Sequence, residues 1–253
     1  MNFTRTKIIC TIGPATQDIG SLRRLNKNGM NVARINMSHA THKSAKAVID
    51  KIHKINNDPK FNYGKIGILL DTQGPEIRTG DTELTMDLKV GDEVTLTVRD
   101  QVDVETSSIK INYKDLIQSV SEGSKITVDN GLINFKVLSK DEETLLCKVL
   151  DGGKLGSKRH VNLPGVRVNL PSITSKDLDD IEFGMKNNVD FIALSFVRDS
   201  EDLDKLQKIL DSKKSKAKII SKIENQEGLD NIHQISVASW GVMVARGDLG
   251  IET

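Results

Sequence analysis

Two stretches of this chain alternate short β-type runs with helix-type runs, and one all-β stretch separates them. This rhythm constrains the fold more than any other feature. A strand followed by a helix and another strand returns the chain in the same direction, so repetition builds parallel sheet. Lys7–Thr11 reads as a strand ending at Gly13-Pro14. Ser21 then opens a short helix carrying Leu22 and Leu25, closed by Gly29. Asn31–Ser38 is the second strand, and its helix runs from Lys43 with Ala47, Val48, Ile52 and Ile55 at helical spacing. Ile66–Asp71 is almost wholly apolar, as a strand covered on both faces should be.

From about Gly80 to Val161 the helical period disappears. Glu93–Val98 alternates, and Lys125–Val128 and Leu132–Leu138 flank Asp129-Asn130-Gly131, a hairpin turn whose residues tolerate positive φ. Thr144–Leu150 is a further strand, followed by the Gly-rich run Asp151–Gly156, which reads as flexible. The strand–helix rhythm returns after Pro171. A helix over Ser175–Asn187 with Ser175 as its cap is followed by a strand at Phe191–Phe196 and a helix at Ser200–Ser212. A strand at Lys218–Glu224, a short helix near Gly228–Ser236 and a strand at Gly241–Ala245 complete the series. The expectation is an α/β fold: a (β/α)8 TIM-type barrel, incomplete with six strand units where closure needs eight, and an inserted all-β lid domain. The expected organisation is 1–79 for the first barrel part, 80–164 for the lid and 165–253 for the second barrel part. On this reading two strands are missing, and the first and sixth present unpaired edges with exposed apolar surface, so the isolated chain is expected to aggregate or open.

Lysines and arginines (36) nearly cancel aspartates and glutamates (35), so no global field points to nucleic acid or an anionic membrane. The basic run Lys213–Lys218 follows Leu203, Leu206, Ile209 and Leu210 and reads as a solvated helix end. No apolar run is long enough for a bilayer, and no signal peptide opens the chain. Cys10 and Cys147 lie in different strand-like runs, which argues against a disulfide and for a reducing, cytoplasmic compartment.

Chemistry gathers at the strand ends. Alternation puts Arg34, Asn36 and Ser38 on one face and Ala33, Ile35 and Met37 on the other, and it puts Lys222 and Glu224 on a shared face. Asp71 closes the third strand, and the sixth runs into Arg246-Gly247-Asp248. In parallel barrels reactive groups occupy these C-terminal ends. One Lys-x-Glu alone reads better as a structural ion pair. So many inward charges together would be costly without ligands. There is no Walker A pattern, no cysteine cluster and no zinc spacing among His39, His42, His53, His160 and His233; apart from His39 these read as surface residues. Carboxylates therefore remain as ligands, and hard oxygens favour Mg2+ or Mn2+, with Glu224 and Asp248 as the pair.

Six segments carry a resemblance: Thr6–Ala15, Met30–His39, Leu70–Gly80, Val161–Gly165, Ser221–Asn225 and Val244–Gly250. In order and spacing they closely resemble pyruvate kinase, in which a small β-barrel lid follows the third strand of the barrel. The resemblance implies phosphoryl transfer from phosphoenolpyruvate to ADP, giving pyruvate and ATP. It implies that Lys222 and Arg34 act on the transferring phosphoryl group and that Glu224 and Asp248 hold Mg2+. It further implies that the amides of Gly247 and Asp248 hold the substrate carboxylate. Asn36, Ser38, Asp71 and Thr72 match the potassium site, and Glu76 matches the residue that accompanies K+ dependence. Asn36, His39, Arg78 and Arg159 match nucleotide contacts. The family forms homo-oligomers.

Departures from the pattern are Gln73 for the usual lysine, Arg159 for the lysine preceding the usual Gly-Val-Asn-Leu-Pro-Gly, and Trp240 for an aspartate, expected to alter packing more than chemistry. A threonine that assists enol protonation, the last two barrel strands and a C-terminal regulatory domain are expected to be absent, so this chain alone is expected to form pyruvate weakly or not at all. Two alternatives stay open: a Mg-dependent pyruvate-lyase or aldolase on a similar barrel, and an inactive remnant. Binding of ADP separates the first of these from a kinase.

Overall fold

The computed structural model describes residues 5–61, 63–82, 85–99, 108–166 and 168–252. In chain order the first stretch forms β1 (Ile8–Thr11), α1 (Ile19–Lys27), β2 (Met30–Asn36), α2 (His42–Asn56) and β3 (Gly67–Asp71). The all-β stretch follows as β4 (Ile77–Arg78), β5 (Met86–Leu88), β6 (Glu93–Thr97), β7 (Ser108–Lys110), the one-turn α3 (Leu116–Ser119), β8 (Lys125–Val128), β9 (Ile133–Lys140), β10 (Thr144–Asp151), β11 (Gly153–Leu155) and β12 (His160–Asn162). The last stretch is α4 (Ser175–Lys186), β13 (Phe191–Leu194), α5 (Ser200–Ser212), β14 (Lys218–Ile223), α6 (Gln226–Asp230), α7 (Ile232–Ala238), β15 (Gly241–Val244) and α8 (Arg246–Glu252).

The chain divides into two compact units. One holds residues 1–74, 172–223 and 231–243; the other holds 75–171, 224–230 and 244–253. The first unit is built on a sheet of order β1-β2-β3-β13-β14-β15, with parallel pairing from β1 through β14. Strand order follows chain order, which is the connectivity of a (β/α)8-type barrel with six strand units. The alternation in β2 is borne out: Ala33, Ile35 and Met37 are buried, whereas Arg34, Asn36 and Ser38 stay partly accessible. β3 is buried throughout from Ile68 to Asp71. Helix α2 covers the sheet with Val48, Ile49, Ile52 and Ile55, and α5 with Leu203, Leu206 and Leu210. The outermost strands leave Ile8, Ile9 and Val244 exposed.

Two helix starts differ from the sequence expectation, and a third gains a cap that the sequence reading left unnamed. Asp18, not Ser21, opens α1: its carboxylate accepts from Ser21 N at 2.9 Å. Thr41 caps α2, pairing reciprocally with Ser44, and Thr174 rather than Ser175 caps α4 with Asp177. The cap residue must be extended and three positions before the amide it satisfies, so the preceding polar residue wins.

In the second unit a seven-stranded sheet of order β4-β12-β8-β9-β10-β6-β7 lies beside the two-stranded β11-β5. Its core gathers Val94, Leu96, Ile126, Phe135, Leu145 and Val149. The β8–β9 turn takes positive φ at Asp129 (54°), Asn130 (57°) and Gly131 (90°), as its residues predict. The run read as flexible is instead ordered, because β11 pairs antiparallel with β5. Gly152 makes this possible: a Cβ there would sit 2.3 Å from the Leu88 carbonyl oxygen. The glycines here serve close backbone approach rather than mobility.

Candidate active site

Within the first unit the polar strand ends converge on Asp71, the last residue of β3, whose side chain is wholly buried. The register places Asn36 of β2 and Ala193 of β13 opposite it. Arg34 reaches across from β2 and donates from Nε to Asp71 Oδ2 at 2.6 Å, with Nη2 2.5 Å from the same oxygen. Its Nη1 donates to Thr11 Oγ1 at the end of β1. From β14, Lys222 brings its ammonium 3.2 Å from Asp71 Oδ1. That oxygen makes no hydrogen bond. Two cations thus share one buried carboxylate at the C-terminal ends of their strands. The trio carries a net positive charge that an anionic ligand would complement.

Ser195, immediately after β13, belongs to this cluster and was missed in the sequence. Lys222 Nζ donates to its Oγ at 2.7 Å. The expectation had absorbed Ser195 into the strand Phe191–Phe196, but β13 stops at Leu194. The available signal was the one that marked Asp71: a polar residue directly after a buried apolar run.

The loop after β2 is pinned rather than open. Met37 N donates to Asp71 O, extending the ladder beyond β2, and Lys176 Nζ donates to Met37 O at 2.9 Å. Asn36 Oδ1 accepts from Ser38 N at 3.0 Å, and the Asn36 carbonyl accepts from Ala40 N. His39 is exposed. Thr72 is buried, its N–H bonded to Ala193 O. The structure therefore brings Arg34, Asp71, Thr72 and Lys222 together and sets Asn36, Ser38 and His39 on the adjoining turn.

The remaining candidates lie in the second unit. Arg78 donates from Nε to Glu76 Oε2 at 2.7 Å and from Nη1 to the Lys158 carbonyl. His160 pairs in register with Arg78 across β12 and β4, so the two side chains share a face. It was read as a surface residue; it is half-buried. Burial depresses its pKa below the usual imidazole value, the Arg78 charge adds to this, and the Glu76 and Asp248 carboxylates oppose it. Arg159 is held by its backbone N–H on Thr79 Oγ1 and reaches Asp129 at 3.4 Å. Glu224 is buried just past β14. Asp248 was expected at a strand end, but β15 stops at Val244. Asp248 and Gly247 lie in the first turn of α8, where amides have no partner within the helix. Glu252, one turn on, accepts from Asn162 Nδ2 at 2.5 Å; burial raises its pKa, and the Asp248 charge adds to the rise.

Among the described residues no group of three or more His, Cys, Asp or Glu converges as a metal cage. Trp240 packs its ring against Phe191 at 5.1 Å between centroids. A parallel α/β sheet in chain order, with charged side chains gathered at the C-terminal strand ends, defines a (β/α)8-type barrel protein.

Residues 3–253 match the family description "Pyruvate kinase, barrel domain". The chain is 47% identical over 251 residues to a pyruvate kinase of Staphylococcus epidermidis and 49% over 253 residues to one of Staphylococcus saprophyticus. It is 45% identical over 248 residues to plastidial pyruvate kinase 2 of Arabidopsis thaliana. Each alignment takes in 98% of this chain and 42% of the relative, so the chain spans less than half the length of these relatives. The chain belongs to the pyruvate kinase family, a family of phosphotransferases.

Proposed function

We propose that this chain carries phosphoryl-transfer machinery acting between phosphoenolpyruvate and ADP, yielding pyruvate and ATP. The observation that carries this reading is the Arg34–Asp71–Lys222 cluster built on a buried carboxylate, whose surplus positive charge suits a phosphorylated carboxylic acid. Phosphoryl transfer needs little covalent help from the protein; it needs positioning and charge stabilisation. Arg34, fixed by Asp71 and Thr11, has the planar donor geometry to clamp a phosphate. Lys222 offers a point charge to the phosphoryl group in flight. The Gly247 and Asp248 amides, in a first helical turn, are donors suited to the substrate carboxylate.

The donor set fits a divalent ion shared with substrate. Glu224 and Asp248 supply hard carboxylate oxygens, and Mg2+ commonly uses one or two carboxylates together with substrate phosphates rather than an all-protein cage. When bound, such an ion neutralises charge developing on enolate and phosphoryl oxygens. For K+, the supporting observation is Asp71 Oδ1, buried and without a hydrogen bond; Asn36, Ser38 and Thr72 are the further oxygen donors of that set. Asn36, His39, Arg78 and Arg159 are assigned to the nucleotide. A reducing, cytoplasmic setting is supported by both cysteines being free. Among the described residues no helix is long and apolar enough to cross a membrane.

The test is a pyruvate-forming assay coupled to lactate dehydrogenase, run on the chain extended to the length of its relatives, as wild type and as Lys222→Met; the chain by itself is expected to turn over weakly or not at all. Wild-type turnover with a loss of roughly 10²-fold or more in kcat at little-changed KM in the variant is expected. No pyruvate at any ADP and Mg2+ concentration, or a KM effect alone, would overturn the assignment.

A further inference from the structure

The ammonium of Lys222 ends a flexible four-carbon stem and has no direction of its own. A charge that must meet a transferring phosphoryl group has to be aimed, and the structure shows what aims it. Ser195 Oγ is wholly buried and placed between two groups: it accepts from Lys222 Nζ at 2.7 Å and donates to the Thr72 carbonyl at 2.8 Å. With its proton committed to Thr72 O, the hydroxyl turns a lone pair toward the ammonium. The serine is in turn immobilised, because Ser195 N donates to Thr72 Oγ1 at 3.1 Å and Thr72 N donates to Ala193 O at 3.0 Å. β3 and β13 are thus tied together just beyond their last paired residues, with Ser195 as the outermost link.

Two backbone features show that this placement is built at a cost. Phe196, directly after Ser195, adopts φ 53°, a left-handed conformation that is unfavourable for a residue with a side chain. Gly74 has φ 77°, and a Cβ there would meet Ser195 Cβ at 2.7 Å and Phe196 Cδ2 at 2.9 Å. The turn behind the serine therefore accepts only glycine. Its amide is anchored on Asp177 Oδ1, a fully buried carboxylate that also accepts from Thr174 N and Thr174 Oγ1 through Oδ2. Strain held in place by a buried hydrogen-bond network is a mark of a functional position.

We propose that Ser195 is a positioning residue: with the Thr72-Gln73-Gly74 turn behind it, it fixes the Lys222 ammonium in the orientation used for phosphoryl transfer. Asp71 Oδ1 supplies the opposite charge at 3.2 Å, while the serine oxygen accepts the shorter, directional bond at 2.7 Å. The inference rests on the phosphoryl-transfer reading for its purpose, though not for its geometry. A group that acts through another should change turnover, should leave substrate affinity nearly untouched, and should lose its effect once the other is gone.

The experiment combines two readouts. In the first, acetic anhydride labelling followed by peptide mass spectrometry compares Lys222 with Lys176 and Lys205 of the same unit. Ser195→Ala is expected to raise Lys222 labelling severalfold and leave the other two unchanged, while Ser195→Thr, which keeps the hydroxyl, returns Lys222 to the wild-type rate. In the second, made in the chain extended to the length of its relatives, Ser195→Ala lowers kcat roughly 10-fold with KM within about twofold, and has no further effect on the Lys222→Met background. Unchanged Lys222 labelling would overturn the proposal, and so would faster labelling of all three lysines, which signals local unfolding. An equal kcat loss with and without Lys222 would also overturn it. If wild type forms no pyruvate, the functional reading fails, and selective labelling alone decides whether Ser195 aims Lys222.

Discussion

Asp71→Asn tests the energetic centre of the site. The substitution keeps shape and removes the charge that Arg34 and Lys222 share. Removing one partner of a buried ion pair costs roughly 3–5 kcal/mol, because the charge left behind has no compensation. Here the side chains of Asp71, Lys222 and Arg34 are 0%, 10% and 26% exposed. Water screens the arginine in part, and the asparagine can still accept one hydrogen bond. Both effects point to the lower end, about 3 kcal/mol. With a urea slope of about 2 kcal/mol per molar, the midpoint should fall by about 1.5 M. Trp240 is the sole tryptophan and lies in the same compact unit as Asp71, so its fluorescence reports this transition. Asp50→Asn is the control: Asp50 pairs with Lys46 on the exposed face of α2, and its loss should shift stability by less than about 0.5 kcal/mol. Equal midpoints for Asp71→Asn and wild type would mean that the two cations do not depend on Asp71, and the account of the site would fall.

Three further outcomes are expected. Glu224→Ala and Asp248→Ala should each weaken Mn2+ binding, measured by titration in the presence of phosphoenolpyruvate; affinities equal to wild type would remove them as ligands. In the chain extended to the length of its relatives, turnover should drop when K+ is replaced by a bulky organic cation, and rates unchanged by the exchange would refute the Asn36–Ser38–Asp71–Thr72 site. Burial pushes the Cys147 thiol up to about 12, so at pH 8 it is almost wholly protonated and shielded. A thiol-reactive dye should therefore label Cys10 first and reach Cys147 only on unfolding, and early labelling of both would contradict that burial.

Much of the fold was legible because alternation and helical spacing are local. The β2 face pattern emerged as read, since a period of two leaves no freedom once one face is buried. The Asp129-Asn130-Gly131 turn was legible because positive φ selects its own residues. Element ends were less so. Asp18 and Thr174 took the places expected of Ser21 and Ser175 at the helix starts, a choice made by which side chain reaches an orphan amide.

By itself the sequence determined which residues are polar at strand ends and in what order the strands arise. Arg34, Asp71 and Lys222 could be singled out because a charge at the end of a buried run is costly without a purpose. Their partnership was decided only by tertiary structure. The register that sets Asp71 between β2 and β13 brings together residues 37 and 151 positions apart in the chain, and no local pattern encodes that. Ser195 and β11 show the same division. A serine after an apolar run and a Gly-rich stretch are each compatible with an idle loop. It took the close approach of β3 to β13, and of Leu88 to Gly152, to give one a lysine to hold and the other a strand to pair with. Local chemistry fixes what each residue can do; packing across the sheet fixes what it does it to.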